Sequence, residues 1–228
     1  MRTNDGLPEF RIWLIGDSPP KNWHEELEVP LDPRHPVRHN IWTSVLDRIQ
    51  ETVFYDGRRL DSKLLYVRNA VDSDELVPPK RVDWSWTALA PSIQALGDAL
   101  NKYQPRLVLS FGGFACEMVC RARRIGLPAP HLDRDVDDWT TKKLGAAFRQ
   151  GTSTFDQTSI NHLPLLHVSI ARRNFLSAHE YFCPASEGEK PNYFDYVGIE
   201  LGKLLLEHMK DEQIWLRPGR TATEPVPK

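Results

Sequence analysis

Phe10-Arg11-Ile12-Trp13-Leu14-Ile15-Gly16-Asp17-Ser18-Pro19-Pro20 carries the first decision about the fold. An apolar run of strand length ends in a glycine, an aspartate, a serine and two prolines, the residues that stop a strand and turn the chain. Residues 10–15 therefore read as a buried first strand. A long loop containing proline and histidine follows, to about residue 40. Residues 41–53 then place Ile41, Val45, Ile49 and Val53 at helical spacing.

The alternation continues along the chain. Residues 64–67 read as a second strand that ends in Arg68-Asn69-Ala70-Val71, and Pro78-Pro79 opens a linker. Residues 87–100 form a helix with Ala90, Ile93, Leu96 and Leu100 on one side. Gln104-Pro105 closes it, residues 106–111 are the third strand, and Gly112-Gly113 turns the chain into a helix over 114–124. Residues 131–160 are polar and aspartate-rich and read as a surface excursion, with Asp133 to Asp138 its most acidic part. A fourth strand over 163–169, a helical turn over 177–182 and a closing helix over 197–210 complete the pattern. Strands alternating with helices argue an α/β fold with a doubly wound, four-stranded, mainly parallel sheet. One domain is expected over 1–228, with a core from about 8 to 212 and a flexible tail from 213 to 228. No internal repeat is present.

Composition narrows the function classes. The chain has 228 residues, 40% of them hydrophobic, and 29 Lys+Arg against 31 Asp+Glu. The balance gives no global basic field, which weighs against a protein that grips duplex DNA tightly. Local basic strips exist, at Arg121, Arg123 and Arg124 and again at Arg172 and Arg173. No run reaches transmembrane length and residues 1–6 hold no signal-peptide core, so a soluble, cytoplasmic protein without membrane contact is expected. Cys116, Cys120 and Cys183 are too few for a disulfide framework. Cys116 and Cys120 share a helix face and read as small core residues, and a four-thiolate cluster would need another ligand. His162, His179 and His208 are scattered, so no metal is expected.

In a doubly wound sheet, ligands bind beyond the carboxyl ends of the strands. Here those ends are 16–20, 69–72, 112–113 and 167–177. The last of them, His167-Val168-Ser169-Ile170-Ala171-Arg172-Arg173-Asn174-Phe175-Leu176-Ser177, combines a titratable imidazole, two guanidinium groups and an apolar pair. Those are the parts that a base-flipping enzyme needs together.

The order of these segments, over residues 10–210, resembles the uracil-DNA glycosylase superfamily. Its first strand opens into a Gly-x-(Asp/Asn/Ala)-Pro loop that positions water. Gly16 and Pro19 fit, Ser18 takes the acidic or amide slot, and Asp17 matches the glutamate of the iron–sulfur branch, whose cluster cysteines are missing here. The competing reading of Asp17 is a turn or helix cap. His35-Pro36-Val37-Arg38-His39-Asn40-Ile41-Trp42 resembles the His-Pro-x-Asn-Arg-Phe-Trp pattern of the mismatch-specific and hypoxanthine branches. Leu64-Leu65-Tyr66-Val67-Arg68-Asn69-Ala70-Val71 looks like the second-strand Leu-Leu-Leu-Asn-(Ala/Thr)-Val, whose asparagine reads the base edge. Gly112-Gly113-Phe114-Ala115 is similar to the family's Gly-x-x-Ala turn. The final His-Pro-Ser-Pro-Leu-Ser motif fits in two ways: His167-x-Ser169 matches its start with a longer loop, while a gap-free match on Leu176-Ser177 puts Arg172 in the histidine slot.

The resemblance implies a three-layer α/β/α sandwich. It implies a DNA glycosylase that removes a deaminated base such as uracil or hypoxanthine, with no cofactor. Asp17, His167 and Arg172 would be catalytic. Asn69, Ser18 and Phe111 would bind the base, and Ser169, Arg173, Leu176 and Ser177 the DNA, with Leu176 as the wedge. The departures in the water loop and the last motif leave a second reading, a glycosylase-like domain that binds nucleic acid or a nucleotide without cleaving it. A dinucleotide-binding or P-loop enzyme is disfavoured, because no Gly-x-Gly-x-x-Gly or Walker sequence follows the first strand.

Overall fold

The computed structural model describes residues 4–19, 42–72, 85–125, 139–167, 175–184 and 192–216, and of 175–177 the backbone alone. Among the described residues, five strands and six α-helices form a three-layer α/β/α fold. The strands are β1 (Asn4–Asp5), β2 (Ile12–Gly16), β3 (Leu65–Asn69), β4 (Leu107–Phe111) and β5 (Asn161–Leu165). The helices are α1 (Ser44–Phe54), α2 (Trp86–Tyr103), α3 (Gly112–Ala122), α4 (Thr141–Ser153), α5 (Phe175–Phe182) and α6 (Tyr193–His208).

The sheet runs β1-β3-β2-β4-β5, parallel except for β1. Its side chains alternate between two apolar layers. Ile12, Leu14, Leu65, Val67, Leu107, Leu109 and Phe111 point into the layer that α1, α4, α5 and α6 cover. Trp13, Ile15, Tyr66 and Val108 point to the other, covered by α2 and α3. Burial on both faces explains why the strands read as continuous apolar runs. The edge strand β5 carries Pro164, whose missing N–H is tolerated where, among the described residues, no further strand pairs outward.

Three expectations change. The sheet has five strands instead of four, because Asn4 and Asp5 pair antiparallel with Arg68 and Val67. Two polar residues hold no periodicity, so hydrophobic pattern could not announce them. Residues 141–153 are a core helix and not a surface excursion. Thr140 caps it by accepting from the Lys143 N–H, and Leu144 and Phe148 enter the core. Two core positions one turn apart in a polar stretch left a faint signal. Thirdly, the chain is not free from 213: Ile214 is buried, Trp215 bridges to Leu60, and the Leu216 N–H donates to the Arg59 carbonyl at 2.8 Å. Residues 217–228 lie outside the described residues.

No described helix is long and apolar enough to cross a membrane. Phe148→Ala is expected to cost about 3–5 kcal/mol of unfolding free energy in chemical denaturation, the range for a buried phenylalanine. A surface excursion would lose about 0.5 kcal/mol or less.

Candidate active site

Strand order places the site. From β2 the chain goes to β3 on one side, and from β3 it crosses back to β4 on the other. The crevice beyond the carboxyl ends of β2 and β4 is therefore the point at which the order reverses, the usual ligand position in such a sheet.

Asp17 leaves β2 at that point. The backbone ladder continues one residue past the paired strands, with the Ala70 N–H donating to the Gly16 carbonyl at 2.8 Å and the Val71 N–H to the Asp17 carbonyl at 3.2 Å. Asp17 is thus fixed at the backbone before its side chain makes any contact. Its Oδ1 accepts from the Ala115 N–H at 3.2 Å. Ala115 is the fourth residue of α3, and Phe111 at that helix's N-cap offers no side-chain acceptor. The first four N–H groups of a helix have no partner inside it, and the positive end of the helix favours an anion. Asp17 supplies both needs from a different strand. The capping reading of the sequence is correct in kind, although the helix capped is α3 and not the one next in the chain.

The second oxygen, Oδ2, lies 3.1 Å from His167 Nε2, just beyond β5. Both side chains keep some solvent contact, 29% for His167 and 19% for Asp17. Gly112 makes the approach possible. It sits at φ +87°, and a Cβ there would fall 2.7 Å from the Cβ of His167. Glycine meets both constraints, the left-handed backbone and the missing side chain. Burial alone would push the His167 pKa down, but the hydrogen bond and charge of Asp17 outweigh it and the net direction is up.

Asn69 ends β3 directly opposite Gly16 in the parallel register and is 7% exposed. A Cβ on Gly16 would come within 2.8 Å of Asn69 Oδ1, so the bare glycine leaves room for the carboxamide. The structure thus brings Asp17, Asn69 and His167 to the same end of the sheet from three different strands.

The other expected site residues are placed differently. Phe111 is not an open stacking surface: it is 2% exposed and meets Trp42 edge-on at 5.8 Å. Its burial follows from strand alternation, which turns it into the same layer as Leu107 and Leu109. Ser18 donates to the adjacent Pro19 carbonyl at 3.3 Å. Leu176 and Ser177 fall in the first turn of α5. Ser169, Arg172 and Arg173 lie outside the described residues, as do His35 to Ile41 and Asp133 to Asp138. The strip at Arg121, Arg123 and Arg124 is corrected. Arg121 is buried, its Nε donating to Glu117 Oε1 at 2.8 Å and its guanidinium over the Trp86 ring at 3.9 Å. Arg123 and Arg124 are exposed at the far end of α3, about 16 Å along the helix from its N-terminus.

Trp139 adds an aromatic group that sequence reasoning passed over. Its indole N–H donates to Glu117 Oε2 at 2.8 Å, and its Cβ would lie 3.0 Å from a Cβ on Gly113. It therefore packs against the first turn of α3, beside the site. The i,i+4 spacing of Glu117 and Arg121 was the available clue that a buried pair anchors this helix.

No family model matches the chain, and no curated protein matches it.

An NMR titration is expected to place the His167 pKa above the ordinary 6.5, and Asp17→Asn should lower it, since the charge leaves while burial stays. The sign for stability follows: a folded pKa above the unfolded value makes the pair stabilising below about pH 6.5, and that contribution is lost as pH rises through the folded pKa.

Proposed function

We propose that this protein hydrolyses the N-glycosidic bond between deoxyribose and a deaminated base such as uracil or hypoxanthine, as a DNA glycosylase of base-excision repair. The observation that carries the reading is the Asp17–His167 contact of 3.1 Å at the sheet's switch point, with Asn69 on the neighbouring strand end.

In this reading the flipped nucleotide enters the crevice beyond β2 and β4. The glycosidic bond breaks with its electron pair going to the base, leaving an oxocarbenium-like sugar. Water adds at the sugar carbon, its hydroxyl staying there and its proton ending on the departed base. The Asp17 carboxylate stabilises the cationic sugar and orients the water. His167, biased towards its protonated form by Asp17, stabilises the negative charge on the leaving base. Asn69 offers a donor and an acceptor to the base edge, which the edge of uracil or of a deaminated purine requires. Arg172 and Arg173 would contact phosphate, and Leu176 would fill the vacated stack. None of these roles calls on a cofactor.

One observation favours a second reading, a domain that binds a nucleotide or nucleic acid without cleaving it. Both Asp17 carboxylate oxygens already have protein partners, as a purely structural cap would.

The test is strand nicking of end-labelled oligonucleotides carrying uracil, hypoxanthine or xanthine. Release of one of these bases is expected, with Asp17→Ala slower by about 10²–10⁴-fold, the range for losing a group that assists proton transfer or water attack. Asn69→Ala should lose rate and base discrimination together. No release at high enzyme concentration, with retained oligonucleotide binding, selects the second reading.

A further inference from the structure

A second cluster of reactive side chains lies on α3 and β5, outside the Asp17–His167 site. Cys116 and Cys120 stand one turn apart on α3, and His162 is the second residue of β5. The Sγ atoms of both cysteines and a ring nitrogen of His162 all lie within 4.8 Å of one another. His162 Nδ1 is 3.9 Å from Cys120 Sγ. Its other nitrogen, Nε2, is 2.7 Å from Ser110 Oγ on the adjacent strand β4. Cys116 is buried, while Cys120 and His162 are partly exposed, so the cluster has an apolar floor and an outer side that solvent reaches.

We propose that Cys116, Cys120 and His162 form a binding site for a thiophilic divalent cation, zinc foremost, with three protein ligands and a fourth position for water or a small ligand. The donor set, two thiolates and an imidazole, is the one that soft and borderline metals select. The Cys-x3-Cys spacing falls within the range of zinc-binding pairs. Tetrahedral zinc with ordinary bond lengths holds its ligand atoms about 3.5–3.8 Å apart. The separations here, none above 4.8 Å, need to shorten by about 1.3 Å at most, within the reach of side-chain rotation. Ser110 is the outer partner that such a histidine needs. By accepting from Nε2–H it fixes the tautomer that leaves the Nδ1 lone pair facing Cys120. Binding leaves both cysteines as thiolates, with any thiol proton still held released to solvent, so that two thiolates balance the ion's charge.

The position gives the ion a structural task. Cys116 directly follows Ala115, whose N–H holds Asp17, and His162 lies on the strand that delivers His167. An ion here ties α3 to β5 beneath the two side chains of the candidate active site.

The experiment uses the full-length protein, stripped with chelator and titrated with Co²⁺ and then Zn²⁺. One equivalent of Co²⁺ per chain should bind with thiolate-to-metal charge-transfer absorption and tetrahedral ligand-field bands, and Zn²⁺ should abolish both. Thermal melting of the stripped wild type should shift upwards when Zn²⁺ is added. Cys120→Ser and His162→Ala should weaken binding at least about tenfold, the lower range for loss of a mere outer-shell partner. Cys183→Ser, which alters a thiol buried elsewhere, should leave binding unchanged. Far-UV circular dichroism of each stripped variant shows that it is folded. Sub-stoichiometric binding by the wild type, or a signal that survives in folded His162→Ala, overturns the proposal.

Discussion

The parallel register of β2 between β3 and β4 is the constraint on which the rest depends. It sets Gly16 opposite Asn69 and brings the start of α3 beside the turn that follows β2. A one-residue slip of β2 would reverse its side chains, turning Trp13 and Ile15 into the layer built for Ile12 and Leu14. The same slip would carry Asp17 away from the Ala115 N–H. Core packing and site geometry are therefore fixed by one alignment, and the site needs little independent stabilisation.

Electrostatics then acts on an arrangement already made. Asp17 sits at a helix N-terminus whose own N-cap is the apolar Phe111, so the carboxylate answers a need of the fold before it meets His167. His167 in turn reaches the carboxylate across Gly112, where any side chain would collide with it. An aspartate held this way is preorganised, the property that electrostatic stabilisation of a transition state requires. The same two contacts make it a sound structural cap for α3.

The readability of the sequence followed the length and burial of each element. β2, β3 and β4 were legible because both faces are largely buried and each carries a short run of apolar residues. α1, α2 and α6 carried helical stripes. β1 and α4 were not legible: the first is two polar residues held by backbone pairing, the second owes its place to Leu144 and Phe148 within a polar stretch. Asp17, Asn69 and His167 could be named as residues at strand ends. That Asp17 contacts His167, 150 positions later, is a consequence of β4–β5 pairing that no local pattern encodes. The same pairing brings His162 to Cys120 and Ser110, which is why a histidine judged isolated has three polar neighbours. Phe111, expected to bind the base, and Arg121, expected in a basic strip, differ in the opposite sense, because alternation and an i,i+4 ion pair bury them.

Whether the Asp17–His167 pair performs chemistry is decided by following single-turnover base release against pH, alongside the His167 titration, in the wild type and in Asp17→Asn. If protonated His167 stabilises the leaving base, release falls as pH rises through the His167 pKa. In the variant both the fall in rate and the His167 titration then move together to lower pH. A rate profile that stays in place while the His167 titration moves would remove His167 from the chemistry and leave the pair as a structural cap.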